Sequence, residues 1–254
     1  MSSETAEIVL DTIHTCRAMR RFEERDVPDR EIRVLLDAAI RAPSGGNAQN
    51  WRFVVVRDAA IKHALGDEVR RGTRWKQVVN RLDREARRER EELTPEAEKR
   101  AARSDASFGE LALNYETIPV LICVCVVPDA SIVKAAISWP SIHSAVTEYG
   151  IVGAVRLGFS GRRFTDQALW SAGYAAVQNI LLAARAKGLG AVLTAPHFLS
   201  PPGRVERILG LPKGVKLAAV IPVGYPSGHF GPVRRRPLRE FVFRDQYGTP
   251  TAIH

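Results

Sequence analysis

Cysteine is scarce, with only Cys16, Cys123 and Cys125 among 254 residues. Cys123 and Cys125 alternate on an apolar run, so they share one strand face. Without a Cys/His pair to complete a ligand set they make a poor metal site, and small core residues are the expectation. Cys16 stands beside a cluster of arginines that would favour its thiolate, though packing alone accounts for it. Long apolar runs are also missing. None approaches the ~20 residues that cross a membrane, and the longest, 118–128, has the character of a buried strand. The first ten residues lack a basic start and an apolar core, which predicts a cytoplasmic protein without a membrane partner. There is no strand-coupled G-x-G-x-x-G and no P-loop; Gly188-Leu189-Gly190 lacks the third glycine and follows a helical pattern, so no Rossmann site is expected. Acidic residues are in deficit, 28 against 37 Lys and Arg, for a net charge of +9. Such an excess suits nucleic acid or a small polyanion. The basic runs 17–25, 70–103 and 234–239 lack the series of interleaved aromatics that stacks bases, so no nucleic-acid partner is expected.

What is present describes a folded protein. Hydrophobic residues make up 45% and charged residues 26% of the chain, enough for a sizeable core. The organising stretch is Arg41 to Val56, RAPSGGNAQNWRFVVV. Ile32, Leu35, Leu36, Ala39 and Ile40 mark the buried stripe of a helix that Pro43 stops. Ser44-Gly45-Gly46-Asn47 forms a small polar loop able to adopt positive φ. Gln49 and Asn50 add amides that donate and accept, and Trp51 to Val56 is a strand. Such a loop suits a planar heteroaromatic ligand with a uracil-like edge; it is equally an ordinary helix-to-strand connection. Upstream, a helix over 4–16 ends in Arg17-Ala18-Met19-Arg20-Arg21-Phe22. Arg17 and Arg20 either clamp an anion or form a solvated basic turn.

Further along, 58–64 suggests a short helix. From 68 to 107 the composition turns to Arg, Lys and Glu, which predicts an exposed helical pair broken at Thr94-Pro95. Residues 117–127 form a strand. The segment 131–165 predicts partial helix over 132–139, a break at Pro140, and turns over 150–161. An alanine-rich helix over 168–187 ends at Gly188. Strands follow at 191–193 and 216–222, separated by a short helix at 205–209. Three adjacent arginines, Arg234 to Arg236, are too dense to bury without an anion.

Two motifs, R-x-x-R-x-F at 17–22 and A-P-S-x-x-N-x-Q-x-W-x-F at 42–53, occur in order and at matching distance. A third, V-Q-N-x-L-L-A-A-R-A-x-G-L-G, runs from Val177 to Gly190. In these the chain resembles the nitroreductase family of FMN-dependent oxidoreductases, over about 8–65 and 168–240. The resemblance implies an α+β fold with a central mixed, mainly antiparallel sheet flanked by helices. It implies one domain over 1–254, with a charged helical lid at about 68–110 and a further insertion at about 131–165. A homodimer is implied, its C-terminal extension reaching onto the partner subunit. FMN would be the cofactor, taking hydride from NADH or NADPH at N5 and passing electrons to a nitroaromatic, a quinone or a similar small oxidant. Arg17, Ala18, Arg20, Pro43, Ser44, Asn47, Gln49, Leu193, Thr194, Ala195, Arg235 and Arg236 would bind it. Ala18 replaces a serine common in the family, removing one phosphate hydrogen bond. Arg20 would tune the flavin, and Trp75 and Phe108 would line the substrate pocket; no metal is implied. Flavin cleavage, dehalogenation and non-catalytic flavin binding stand as the alternatives.

Overall fold

Strand β2 (Val120–Val126) is wholly buried, as its uninterrupted run VLICVCV requires of a strand covered on both faces. In the computed structural model it lies second in a four-stranded sheet of order β1-β2-β4-β3, with β1 Trp51–Val56, β3 Gly190–Ala191 and β4 Lys216–Gly224. Every pairing is antiparallel. Trp51 stands opposite Val126, and a bulge between Val124 and Cys125 shifts the β2–β4 register. The structure describes residues 3–128, 134–135 and 137–253. The chain divides into two compact units, one of Met1–Arg17 with Phe230–His254, the other of Ala18–His229.

The larger unit is α+β. One face of its sheet buries Ile122 and Val124 with Leu35 and Ala39 of α2 (Asp29–Ala39) and Ala176, Val177 and Ile180 of α5 (Trp139–Ala186). The other buries Leu121, Cys123 and Cys125 with residues of α3 (Ala59–Glu89), α4 (Pro95–Leu113) and α6 (Arg204–Ile208). Both thiols therefore sit in that core, and burial pushes the Cys125 thiol up to about 11. The helix α5 comes close to the sheet at Gly173, where a Cβ would stand 2.8 Å from Val126 Cγ1.

Two helices differ from the pattern expected of the sequence. Ala59 opens a 31-residue helix rather than a short one, capped by Asp58 accepting from the Ile61 amide. Gly66 does not stop it, because the absent Cβ leaves room for the Tyr115 Cβ, 3.2 Å from where a side chain would begin. Likewise Pro140 occupies the first turn of α5 instead of breaking a helix, a position where its missing N–H costs nothing. Gly158 and Gly161 lie within that helix, and only Gly150, at φ 70°, leaves helical dihedrals. The part of the expected 132–139 helix at 132, 133 and 136 falls outside the described residues. Strand β4 continues through Val223 and Gly224, past the expected end at 222, because both pair with β3. Strand β3 is short, and Thr194 adds an isolated bridge to Val220.

The smaller unit joins α1 (Ser3–Thr15) to the C-terminal segment. The Val233 amide donates to the His14 carbonyl at 3.1 Å. A 3-10 turn follows at Leu238–Glu240.

Candidate functional site

Within the larger unit, the turn 18–23 is laid along the sheet edge by backbone bonds. Met19 N–H donates to Ala191 O at 3.1 Å and Glu23 N–H to Tyr225 O at 2.8 Å. Gly190 and Gly224 make this approach possible: a Cβ on either would stand 2.9 Å from Met19 or Phe22. Arg20 is thereby fixed, half-buried, with its guanidinium carbon 5.9 Å from the Phe108 ring centre. Its neighbour Arg21 binds both carboxylate oxygens of Glu110 and ties the turn to α4. Arg20, Thr73, Lys76, Gln77, Ser104, Asp105 and Phe108 enclose a cavity of about 50 Å³.

The loop after α2 folds into a 3-10 turn over Gly45–Asn47. Gly46, Asn47 and Gln49 have φ of 59°, 54° and 46°, the left-handed region that costs a non-glycine residue about 1 kcal/mol or more. Local bonds hold it: Gln49 N–H donates to Ser44 Oγ at 3.1 Å, and Gln49 Nε2 donates to Asn47 Oδ1 at 3.2 Å. The side chain of Asn179 on α5 donates to Ala38 O at 2.9 Å, satisfying a carbonyl at the end of α2. Pro43, Asn47 and Gln49 are exposed and Ser44 is half-buried. Asn50 Oδ1, by contrast, is buried with no hydrogen-bond partner among the described residues.

Past β3 the three candidate positions separate. Thr194 is buried, and its hydroxyl donates to Val220 O at 2.7 Å, which leaves no side chain of its own for a ligand. Leu193 and Ala195 are exposed on either side of it. His197, two residues on, was not singled out by any motif. It is 5% exposed, packs 4.2 Å from the Phe198 ring, and neither ring nitrogen has a partner among the described residues. Burial pushes its pKa down to about 4.

In the smaller unit Arg17 and Arg235 stand near the paired His14 and Val233, three and two residues along the chain. Both are exposed, and neither forms an ion pair among the described residues. Arg236 is engaged, pairing with Glu240 at 3.1 Å and lying 4.6 Å above the Phe241 ring. Ala18, at the start of the larger unit, is exposed.

Of the two proposed pocket aromatics the structure brings Phe108 to Arg20 but not Trp75, which is 58% exposed and lines no part of the cavity. One residue's rotation decides this: Thr73, Lys76 and Gln77 share a helical face, and Trp75 falls outside it. That i, i+3, i+4 spacing was the available signal for the polar lining. Among the described residues no cluster of three or more His, Cys, Asp or Glu is placed to hold a metal ion. No helix is long and apolar enough to cross a membrane.

Residues 13–225 match the nitroreductase family. The chain belongs to that family. It is similar to an NADH dehydrogenase of Thermus thermophilus, at 29% identity over 89% of this chain and 90% of the other. It is similar also to an iodotyrosine deiodinase of Thermotoga neapolitana, at 24% identity over 94% of this chain and 97% of that one. A crystal structure of a nitroreductase in complex with FMN, from Desulfovibrio desulfuricans, superposes with a TM-score of 0.55 and 25% identity, covering 94% and 97% of the two chains. The sheet and flanking helices described above are thus the nitroreductase fold.

Proposed function

We propose that this nitroreductase-family chain is an FMN-dependent oxidoreductase that draws electrons from NADH or NADPH and delivers them to a nitroaromatic, a quinone or a similar small oxidant. The loop 44–49 carries the proposal. Three left-handed residues in a four-residue span are a strained, locally braced conformation, which a plain connection does not need. Its exposed amides at Asn47 and Gln49 offer both donors and acceptors, the complement of a pyrimidine edge. Pro43, Ser44, Leu193 and Ala195 would meet the rest of the ring system, with Thr194 contributing backbone alone. Arg17, Arg235 and Arg236 supply guanidinium donors suited to a phosphate dianion, with Ala18 giving only its backbone.

FMN, when bound, supplies the two-electron redox chemistry. The protein's part is to orient it and set its electrostatics. Arg20 is the proposed tuning residue, because a fixed cation beside the pyrimidine favours added negative charge there. The helices α3 and α4 act as the lid, which excludes water. Trp139, Ile151, Phe159 and Phe164 of α5 are each more than 70% exposed, and such an apolar surface supports a homodimer. A cytoplasmic setting and a single functional domain over 1–254 complete the reading. The deiodinase relative keeps reductive dehalogenation as the second reading.

The purified protein is expected to be yellow and to bleach on anaerobic addition of NADH or NADPH. Product analysis under air and under nitrogen separates nitro or quinone reduction from oxygen-dependent flavin cleavage, and an iodophenol substrate tests dehalogenation. In Arg20→Ala the flavin midpoint potential should fall. An unchanged potential in spectroelectrochemistry removes Arg20 from the mechanism.

A further inference from the structure

The cavity between α3 and α4 is chemically one-sided. Arg20 and Lys76 both stand over Phe108, at 5.9 and 5.3 Å from its ring centre, so one aromatic ring has two cations within reach of its π system. Asp105 is the cavity's one carboxylate among the described residues, and its charge is already answered. Arg84 reaches it at 2.5 Å and Asn80 at 2.8 Å. Lys76 forms no ion pair among the described residues. Thr73 Oγ1 is buried there without a hydrogen-bond partner, a vacancy that buried hydroxyls seldom keep. Gln77 reaches the same space because Gly109 opposite has no side chain: a Cβ would stand 2.9 Å from Gln77 Nε2.

The volume sets the size of what enters. About 50 Å³ is several times the ~10–15 Å³ that one water needs, and about a third of the ~150 Å³ of a cavity that takes benzene. A carboxylate head fits. We propose that this cavity holds the carboxylate of an aromatic oxidant, bound by Lys76 and the hydroxyl of Thr73, so that the substrates are anionic aromatic acids. The inference rests on the oxidoreductase reading above for where the oxidant enters, and adds its charge. Lys76 is a specificity residue in this account, and the net charge of +9 draws the same anions from solution.

The test compares 4-nitrobenzoate with 4-nitrobenzamide, which share a shape and differ in charge. Binding is read by calorimetry on the purified protein, beside turnover with NADH. At low salt the benzoate is expected to bind about tenfold more tightly, and the ratio should shrink toward one in about 0.5 M NaCl as the charges are screened. Lys76→Gln should bring the ratio to within about twofold of one, and Lys76→Arg should keep most of it. Equal affinities in the wild type overturn the proposal. So does a preference that Lys76→Gln leaves intact, or a Lys76→Gln effect confined to the KM for NADPH relative to NADH. A colourless protein that still prefers the benzoate retains the anion site and removes only the flavin reading.

Discussion

At the scale of single residues, His197 is the least expected side chain. An imidazole 5% exposed, with two unpartnered nitrogens, is held neutral by burial, its pKa pushed down to about 4. In the unfolded chain the same group titrates near ~6.5. Between those values the unfolded state binds the extra proton, so stability is complete above about pH 6.5 and drains away as pH falls toward 4. The loss is on the order of 3 kcal/mol in all, about 2 of it by pH 5. Carboxylates contribute with the same sign but lower on the scale. The hydrogen bond from Arg70 holds Asp67 below its usual range, and the same arginine outweighs burial to lower Glu116. His197→Leu removes the imidazole at nearly constant volume. Urea midpoints at pH 7 and pH 5 should then nearly coincide in the variant and separate clearly in the wild type. A wild-type midpoint flat across that interval means the imidazole is paired in solution. Nothing in the sequence marked this residue, since a lone histidine after a proline carries no periodicity and its burial arises from how the 196–199 turn packs on α3.

At the scale of elements, α5 depends on close approach. A Cβ at Gly173 would lie 2.8 Å from Val126 Cγ1 and 3.3 Å from Ala218 Cβ, both on the sheet. Neither neighbour has slack, Val126 and Ala218 being wholly buried. Gly173→Ala therefore gains helix propensity of roughly 1 kcal/mol and loses more to overpacking, about 1–3 kcal/mol. A net drop in the thermal midpoint is expected by calorimetry. A rise would show the helix free to retreat. The alanine-rich part of α5 was legible because alanine spacing announces close packing, as were α2, β1 and β2, each with a clean hydrophobic period. The first half of α5 was not. Pro140, Gly150, Gly158 and Gly161 are local breakers, and their local meaning depends on position: Pro140 starts the helix, and two of the glycines stay helical. The length of α3 was underestimated for a similar reason, since Gly66 looks like a boundary until Tyr115 packs against it. The loop 43–50 was legible as a bend able to adopt positive φ, because Ser44-Gly45-Gly46-Asn47 is small and polar. The polar lining of the cavity between α3 and α4 was not, because Lys76 and Gln77 sit within a run of charge that ordinarily marks a solvated face.

At the scale of the whole molecule, charge is the deciding property. The net charge of +9 is carried by arginine above all, and Arg17 and Arg235 keep their guanidiniums clear of acidic partners among the described residues, whereas Arg236 shares its charge with Glu240. A phosphate dianion is the ligand such groups suit, and riboflavin is FMN without it. If the proposed cofactor is correct, the FMN-to-riboflavin affinity ratio measures the phosphate contribution alone. Hydrogen bonds to charged groups contribute about 1.5–3 kcal/mol, so Arg235→Ala should cut that ratio by roughly ten- to a hundredfold while riboflavin binding holds constant. Arg236→Ala should cut it less, because its charge is already partly compensated. Fluorescence titration of the apoprotein reads both ligands. The FMN association rate should also slow with added salt, and that of uncharged riboflavin should not. Equal affinity for the two flavins in the wild type would remove the arginines from the phosphate. It would leave the basic charge to serve only the cavity between α3 and α4, where benzoate binding reads it independently.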